Sequence, residues 1–133
     1  HRLVDKHTKD NEKQEKILRR YWPGAYTFIL RKAKPPKGGL ALRRTLYGVD
    51  KKTIALRIPK HAFLLKLLKK VNRPLVQTSV NISTREPLKN AQAIFKVFGK
   101  NKLVSLIIDG GNLKNTKPSK ISNFTEGVLT IIR

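Results

Sequence analysis

Cysteine and methionine are absent from this sequence of 133 residues, and histidine occurs three times. The lack of cysteine excludes disulfides and thiolate chemistry, and His1, His7 and His61 alone do not predict a zinc site. No segment approaches the roughly 18 to 20 continuous apolar residues that cross a bilayer, and no secretory signal pattern opens the sequence. These absences predict a cytoplasmic protein with no metal centre and no membrane contact. Since the sequence lacks methionine and begins with His1, we interpret it as a fragment or a processed chain.

Acidic side chains are also scarce. Against 30 lysines and arginines there are 8 aspartates and glutamates, so the net charge is +22. Such a charge attracts polyanions, because lysine and arginine release condensed counterions from nucleic-acid phosphates, and this favours contact with RNA or a polyphosphate. The alternative is a solvated coat of surface lysines with no specific partner. Neither an RNP-like nor a KH-like signature supports an RNA-binding module.

Length and composition predict a single domain over residues 1–133. The chain is long enough, and with 39% apolar residues it is apolar enough, to build a core. It shows no internal repeats and no linker between domains. Helical and strand-like segments alternate, which indicates an α/β sheet layered with helices.

Three helices are predicted from periodic apolar spacing and capping residues. The first covers residues 11–20 and is halted by Pro23 and Gly24. The second follows Pro59, and its apolar positions recur at helical spacing, so one of its faces is expected to be core. These positions are Phe63, Leu64, Leu67, Leu68 and Val71. The third helix covers residues 90–98 and ends at Gly99.

Strands are predicted where aromatic and β-branched residues are bounded by turn residues. The predicted strands cover residues 25–31, 53–58, 75–79, 103–108, 120–124 and 128–132. The strand that leads into Ser79 and the strand 103–108 are interpreted as buried. A turn at Asp109 closes the second of these. Residues 40–52 are ambiguous, and we expect a mobile excursion there.

Four sequence blocks, taken in order, resemble one known family. Tyr21 to Thr27 match an aromatic-Trp-Pro-Gly-x-x-Thr block, and Leu56 to His61 match a hydrophobic-Arg-x-Pro-x-His block. Ser79 to Ser83 are similar to a Ser-Ala-Asn-x-Ser segment. The last block joins an Asp-Gly-Gly turn at Asp109, a Pro-Ser pair at Pro118 and Ser119, and a closing hydrophobic-Arg pair at Ile132 and Arg133. Together the blocks resemble the YrdC family, whose members make threonylcarbamoyl-adenylate for tRNA modification.

The resemblance implies a fold of the α/β class. This YrdC-like fold is a twisted, open, mixed sheet with helices packed on it around a deep basic cavity. Family members carry on the order of 80 residues before the Trp-Pro-Gly block, whereas 20 residues precede Tyr21 here. We therefore expect the amino-terminal part of the fold, with its Lys-x-Arg motif, to be missing. Activity of this chain alone is left open.

The resemblance also implies an activity, that of an L-threonylcarbamoyladenylate synthase, which is a nucleotidyltransferase. Threonine and bicarbonate form a carbamate, whose carboxylate attacks the α-phosphate of ATP and expels pyrophosphate. Such a site needs cations and hydrogen-bond donors more than a general base. ATP and Mg²⁺ are the implied cofactors, with Mg²⁺ held largely by phosphates and water. The implied partners are tRNA, through the basic surface, and a downstream threonylcarbamoyl transferase complex.

Matching motif positions imply roles for six residues, none of which is assigned as catalytic. Arg57 would hold the threonine carboxylate, because a planar guanidinium suits a carboxylate. The nucleotide would meet Thr53, Ser79, Asn81, Ser119 and Arg133.

Structural interpretations stand beside these roles. Arg57 can be a surface arginine on an alternating strand, and Arg133 a solvated terminal group. Ser79 and Asn81 can be turn residues, which are favoured wherever a strand ends, and Ser119 can simply start a strand. The remaining polar and aromatic motif residues are interpreted as structural: core anchors at Trp22 and Tyr26, a helix start at His61 and a turn at Asp109.

Two other functions are kept as hypotheses. A non-catalytic basic RNA-binding protein on a YrdC-like scaffold would account for the charge and the missing basic motif. A carbamoyl-transfer domain of a larger maturation protein is the other. The retention of Thr53, Arg57, Ser79 and Asn81 favours the synthase over the RNA-binding protein.

Overall fold

The computed structural model describes residues 12–32, 52–113 and 117–132. The chain splits into two compact units, His1–Leu75 with Pro118–Arg133, and Val76–Lys117. Among the described residues, the first unit contains two helices and a four-stranded sheet, and the second contains one helix. The expectation of a single domain stays a prediction.

Helix α1 spans Glu12–Tyr21 and confirms the helix predicted over residues 11–20. Two glutamates occupy its first turn and two arginines its last turn, as the helix dipole favours. The helix ends where the backbone N–H of Trp22 donates to the Leu18 carbonyl at 2.9 Å. Pro23 then stops it, because proline has no N–H to donate to the next turn.

Four short strands form a mixed sheet in the order β2-β1-β3-β4. Their bounds are β1 Tyr26–Arg31, β2 Thr53–Leu56, β3 Lys120–Asn123 and β4 Thr130–Ile131. Strand β1 pairs antiparallel with β2 and parallel with β3, and β4 pairs antiparallel with β3. Each of the four lies within a strand predicted from the sequence, although each is shorter than predicted.

One face of this sheet packs against α1 and forms the core. Phe28 and Leu30 alternate with half-buried neighbours along β1 and are 0% and 1% exposed. The buried apolar cluster consists of Leu18, Trp22, Phe28, Leu30 and Phe124. The side-chain amide of Gln14, on α1, donates to the carbonyl of Phe124 at 2.8 Å, so a hydrogen bond also joins helix and sheet.

Trp22 and Tyr26 are core anchors, as predicted. The Trp22 ring lies edge-on to Phe28, with 5.3 Å between the ring centroids, and is 4% exposed. Its indole N–H donates to the Tyr26 carbonyl at 2.8 Å. This bond satisfies the one polar atom of a buried tryptophan side chain.

Helix α2 spans Ala62–Val71, where apolar spacing predicts it. His61 is its N-cap, so the expected role of His61 at the helix start is confirmed. The prediction that one face of α2 is core is wrong, since none of its residues is buried and Phe63 is 48% exposed. A helix makes its backbone hydrogen bonds internally, so apolar spacing predicts the helix without deciding what covers its apolar face.

The second unit contains helix α3, Ala91–Phe98, which confirms the third predicted helix. The side-chain oxygen of Asn90 accepts a 2.8 Å hydrogen bond from the backbone N–H of Ala93, which caps the first turn. At the other end, the N–H of Gly99 donates to the Phe95 carbonyl at 2.7 Å. Both ends are therefore set by the residues that predicted them.

The two predicted buried strands, residues 75–79 and 103–108, do not form. Val76 is 76% exposed and Leu103 is 90% exposed, so their predicted burial is also wrong. A strand needs a neighbour to satisfy its backbone N–H and C=O groups, and neither segment pairs with another strand of the described chain. Asp109 does form the predicted turn, because its side-chain oxygen accepts from the N–H of Gly111 at 2.8 Å.

The expected excursion over residues 40–52 falls outside the described residues, apart from Lys52. The basic pairs Arg19 with Arg20 and Lys69 with Lys70 are exposed, as a solvated coat requires. In the part of the chain that the structure describes, no helix is both long and apolar enough to traverse a bilayer.

Candidate functional site

The sheet face opposite α1 collects hydroxyl, amide and guanidinium groups from three neighbouring strands, and we call it the polar face. Side chains alternate along each strand, so the residues beside Phe28 and Leu30 point away from the core. The strand pairings carry this alternation across the sheet. The polar face consists of Thr27, Ile29, Arg31, Thr53, Ala55, Arg57, Ser119, Ile121 and Asn123. Each of these is half-buried or exposed.

At one end of the polar face, three residues on neighbouring segments form what we call the row: Arg57 directly follows β2, Thr27 lies in β1, and Ser119 directly precedes β3. Phe28 pairs with Leu56, so the next position along each strand places Thr27 beside Arg57. On the other side, the Thr27 and Ser119 hydroxyl oxygens are 2.8 Å apart. The two hydroxyls are thus in contact with each other, and the backbone of Arg57 lies about one strand spacing, roughly 5 Å, from that of Thr27.

A tight turn after α1 holds Arg57 in this row. The N–H of Gly24 donates to the Ile58 carbonyl at 2.8 Å, and the Arg57 Nε donates to the Gly24 carbonyl at 3.2 Å. Gly24 is required here, because a Cβ at this position would lie 2.3 Å from the Tyr21 carbonyl oxygen. Within the described chain no protein group bonds the two terminal nitrogens of Arg57, so they can meet a carboxylate through two parallel hydrogen bonds.

Thr53 lies at the opposite end of the polar face, paired with Arg31. Thr53 lies four positions before Arg57, which corresponds to roughly 13 Å along the chain. Arg31 is exposed, and its Nε donates to the Thr125 carbonyl at 2.6 Å. The two ends of the face can therefore contact different parts of a ligand, or two different ligands.

Ser79 and Asn81 belong to the second unit. Ser79 is exposed. The Asn81 amide nitrogen donates to the carbonyls of Ile82 and Arg85 at 3.1 and 3.0 Å, so both of its hydrogens serve the loop. Its side-chain oxygen is the atom left for a ligand. Arg133 lies outside the described residues, and the nucleotide roles of all three residues stay predictions.

Thr27 was not among the residues singled out for the site. Its hydroxyl forms a hydrogen bond with the hydroxyl of Ser119, which lies 92 positions away in the sequence. This hydrogen bond depends on the parallel pairing of β1 with β3. The available signal was the Trp-Pro-Gly-x-x-Thr spacing, which puts a hydroxyl three residues after the Gly24 turn. That spacing indicates the start of a strand. The strand pairing that brings the Thr27 hydroxyl to Ser119 is a tertiary feature, which the spacing does not indicate.

The comparison with family models decides the family of the chain. The Sua5/YciO/YrdC model, described as "Telomere recombination", matches residues 1–133. This chain belongs to the Sua5/YciO/YrdC family. A threonylcarbamoyl-AMP synthase of Buchnera aphidicola subsp. Acyrthosiphon pisum is 37% identical over 123 residues, covering 90% of this chain and 62% of that protein. The threonylcarbamoyl-AMP synthase of Pyrococcus abyssi is 32% identical over 123 residues, covering 92% and 33%.

Solved structures of Sua5/YciO/YrdC members share the fold. Pyrococcus abyssi Sua5, complexed with L-threonine, matches with a TM-score of 0.74 and 29% identity over 99% of this chain and 36% of that one. Escherichia coli YciO matches with a TM-score of 0.76 and 26% identity over 99% and 60%. The expected open mixed sheet of a partial YrdC-like domain is thereby confirmed. The chain spans less than two thirds of the length of each of these relatives.

Proposed function

We propose that this chain contributes to an L-threonylcarbamoyladenylate synthase, which uses threonine, bicarbonate and ATP to prepare the threonylcarbamoyladenosine modification of tRNA. The observation that carries the proposal is the Arg57–Thr27–Ser119 row, in a chain 37% identical to a protein named threonylcarbamoyl-AMP synthase. The same names favour catalysis over the hypothesis of a non-catalytic RNA-binding protein.

The proposed reaction has two steps. The threonine amine adds to bicarbonate with loss of water and becomes a carbamate. A carbamate oxygen then bonds to the α-phosphorus of ATP, the bond from that phosphorus to the bridging oxygen breaks, and pyrophosphate leaves. Negative charge accumulates throughout, so preorganised cations and hydrogen-bond donors are what the protein must supply.

Arg57 is proposed to bind the threonine carboxylate. Its Nε is held by Gly24, so the guanidinium is oriented before a ligand arrives, and less conformational entropy is lost on binding. The Pyrococcus abyssi relative has been crystallised with L-threonine, which supports a threonine site in this family member too.

The nucleotide is proposed to contact Thr53, Ser119, Ser79, Asn81 and Arg133. Among the described residues, no group of three or more histidine, cysteine, aspartate or glutamate side chains could hold a metal ion. Mg²⁺ would then arrive with ATP as part of the substrate, bound by phosphates and water. The hydroxyl and amide groups proposed here would contact the nucleotide itself.

The proposed partners follow from the chemistry of the product. A threonylcarbamoyl transferase complex would consume the adenylate in the cytoplasm, and the net charge of +22 would favour transient contact with tRNA. Such contact would weaken steeply with salt, because it rests on counterion release.

The test is pyrophosphate release by the purified protein that contains this chain, supplied with MgATP, threonine and bicarbonate. Arg57→Ala should lower kcat/KM by at least about tenfold, mainly through a higher KM for threonine, since charged hydrogen bonds contribute about 1.5–3 kcal/mol. Arg73→Ala, which removes an exposed arginine just after α2, should leave the kinetics unchanged.

Two outcomes would contradict the proposal. Pyrophosphate release that does not depend on threonine would indicate a different acceptor. No release, together with salt-dependent RNA binding that ignores threonine and bicarbonate, would establish the RNA-binding hypothesis instead.

A further inference from the structure

The hydroxyl pair of Thr27 and Ser119 is a polar contact on an accessible face of the sheet. Both side chains are half-buried, and their oxygens are 2.8 Å apart. Ser119 is held in place by its own neighbour, since the N–H of Lys120 donates to the Ala25 carbonyl at 2.9 Å. The backbone pairing of β1 with β3 therefore holds both hydroxyl-bearing residues in position.

A hydroxyl pair has a directional consequence that a single hydroxyl lacks. Each hydroxyl has one hydrogen to donate and two lone pairs to accept. If Thr27 donates to Ser119, the hydrogen of Ser119 is left for a ligand, and accepting one bond strengthens the bond that Ser119 donates. Thr27 is β-branched, which restricts rotation about χ1 and keeps its hydroxyl directed along the row.

The position of Arg57 indicates what this hydrogen would meet. Arg57 flanks Thr27 on the other side, at about one strand spacing. The Arg57 Nε donates to the Gly24 carbonyl, and the next carbonyl, that of Ala25, accepts from the N–H that follows Ser119. An anionic group bound at the terminal nitrogens of Arg57 is therefore expected to approach the Ser119 hydroxyl, whose donated hydrogen bond would add to the charge stabilisation.

We propose that Thr27 is a positioning residue, which donates to Ser119 so that the Ser119 hydroxyl donates to the threonine carboxylate held by Arg57 and keeps its second lone pair for the nucleotide. The role rests on the proposed synthase function. It needs no direct contact between Thr27 and the substrate, and it predicts that Thr27 and Ser119 act as one unit.

The experiment is a double-mutant cycle on pyrophosphate release, with MgATP, threonine and bicarbonate. Thr27→Val keeps the shape and removes the hydroxyl, and it should lower kcat/KM about five- to tenfold, the value of one hydrogen bond. Ser119→Ala should cost a similar factor. The double variant should be little worse than either single one, because both remove the same bond to the substrate. Thr27→Ser should recover most of the loss.

A hydroxyl elsewhere provides the control. Thr125→Val removes a hydroxyl in the turn after β3, away from the row, and should change kcat/KM by less than about twofold. The Tm of each variant checks folding. If Thr27→Val does not fold, Ser119→Ala and Thr27→Ser still test the row, because the first must lose activity and the second must largely keep it.

The outcomes distinguish failure of the proposed function from failure of the role of Thr27. If the unmodified protein releases no pyrophosphate, the proposed function fails, and the role of Thr27 with it. If release is normal but Thr27→Val matches the unmodified protein, or if the two single losses simply multiply in the double variant, the positioning role alone is overturned.

Discussion

The two compact units use similar apolar sequences in opposite ways. In the first unit, β1 buries Phe28 completely against α1. In the second unit, no described residue is buried. Leu103 is 90% exposed, although the sequence of residues 103–108 predicts a strand. The difference is one of pairing. Strand β1 has a hydrogen-bonded neighbour on each side, whereas residues 103–108 pair with no other strand of the described chain.

The comparison separates elements that form by local interactions from elements that need a partner. Helix α3 forms in the second unit because its hydrogen bonds are internal and Asn90 caps its first turn. A strand cannot satisfy its own backbone hydrogen bonds, since its N–H and C=O groups point toward the neighbouring strands. Apolar sequence therefore indicates the tendency to form a strand, and pairing decides whether the strand exists.

The largest loss of stability is expected on substitution of a phenylalanine in the first unit, and a phenylalanine in the second unit provides the comparison. Phe28→Ala should destabilise the protein by about 3–5 kcal/mol, because it removes a fully buried ring and leaves a cavity. Phe95→Ala, in the second unit, should cost less than about 1 kcal/mol, since that ring is 67% exposed. Urea unfolding monitored by circular dichroism measures both. Equal losses would show that the second unit has a core of its own.

Substitution of Gly24 should destabilise the protein less than Phe28→Ala, and Gly110 provides its control. Gly24→Ala should cost about 1–3 kcal/mol, because its Cβ would meet the Tyr21 carbonyl oxygen at 2.3 Å and the turn must shift. Gly110→Ala is the matched change in the second unit, where a Cβ meets nothing within 4 Å. Its stability should stay within about 0.5 kcal/mol of the unmodified protein. A tolerated alanine at position 24 in thermal unfolding would contradict the close approach.

The helix caps are expected to contribute less to stability than the buried ring or the glycine turn. Asn90→Ala should cost α3 about 1 kcal/mol, since the cap bond is 2.8 Å long. His61→Ala should cost α2 about half of that or less, because its cap distance is 3.5 Å. Amide hydrogen exchange of the first turn of each helix reports these losses. A larger increase in exchange on His61→Ala than on Asn90→Ala would reverse this order and show that packing, not capping, holds the first turn of α3.

The candidate site shows the same division between local and tertiary information. Arg57 and Ser119 were predicted from motif positions, and the structure places both on the polar face beside Thr27. Thr53 lies on that face as well, but at its far end. Thr27 could not be singled out, because its significance depends on a residue 92 positions away.

Asn81 shows that a motif position does not by itself assign a residue's hydrogen bonds. Motif position predicted a nucleotide contact, and turn chemistry was the alternative. In the structure its amide donates to two loop carbonyls, so a local role is present whether or not its oxygen also meets a ligand. A sequence motif identifies the residue without assigning its donor and acceptor atoms.

The family, the three predicted helices and the positions of the four described strands can be predicted from the sequence alone. These features depend on short-range physics: periodic apolar spacing, residues typical of helix ends, and turns set by proline and glycine. Tertiary contacts decide which strand-like segments pair, which apolar faces are buried, and that Arg57, Thr27 and Ser119 come together. Pairing and burial depend on partners distant in sequence, and no local pattern records them.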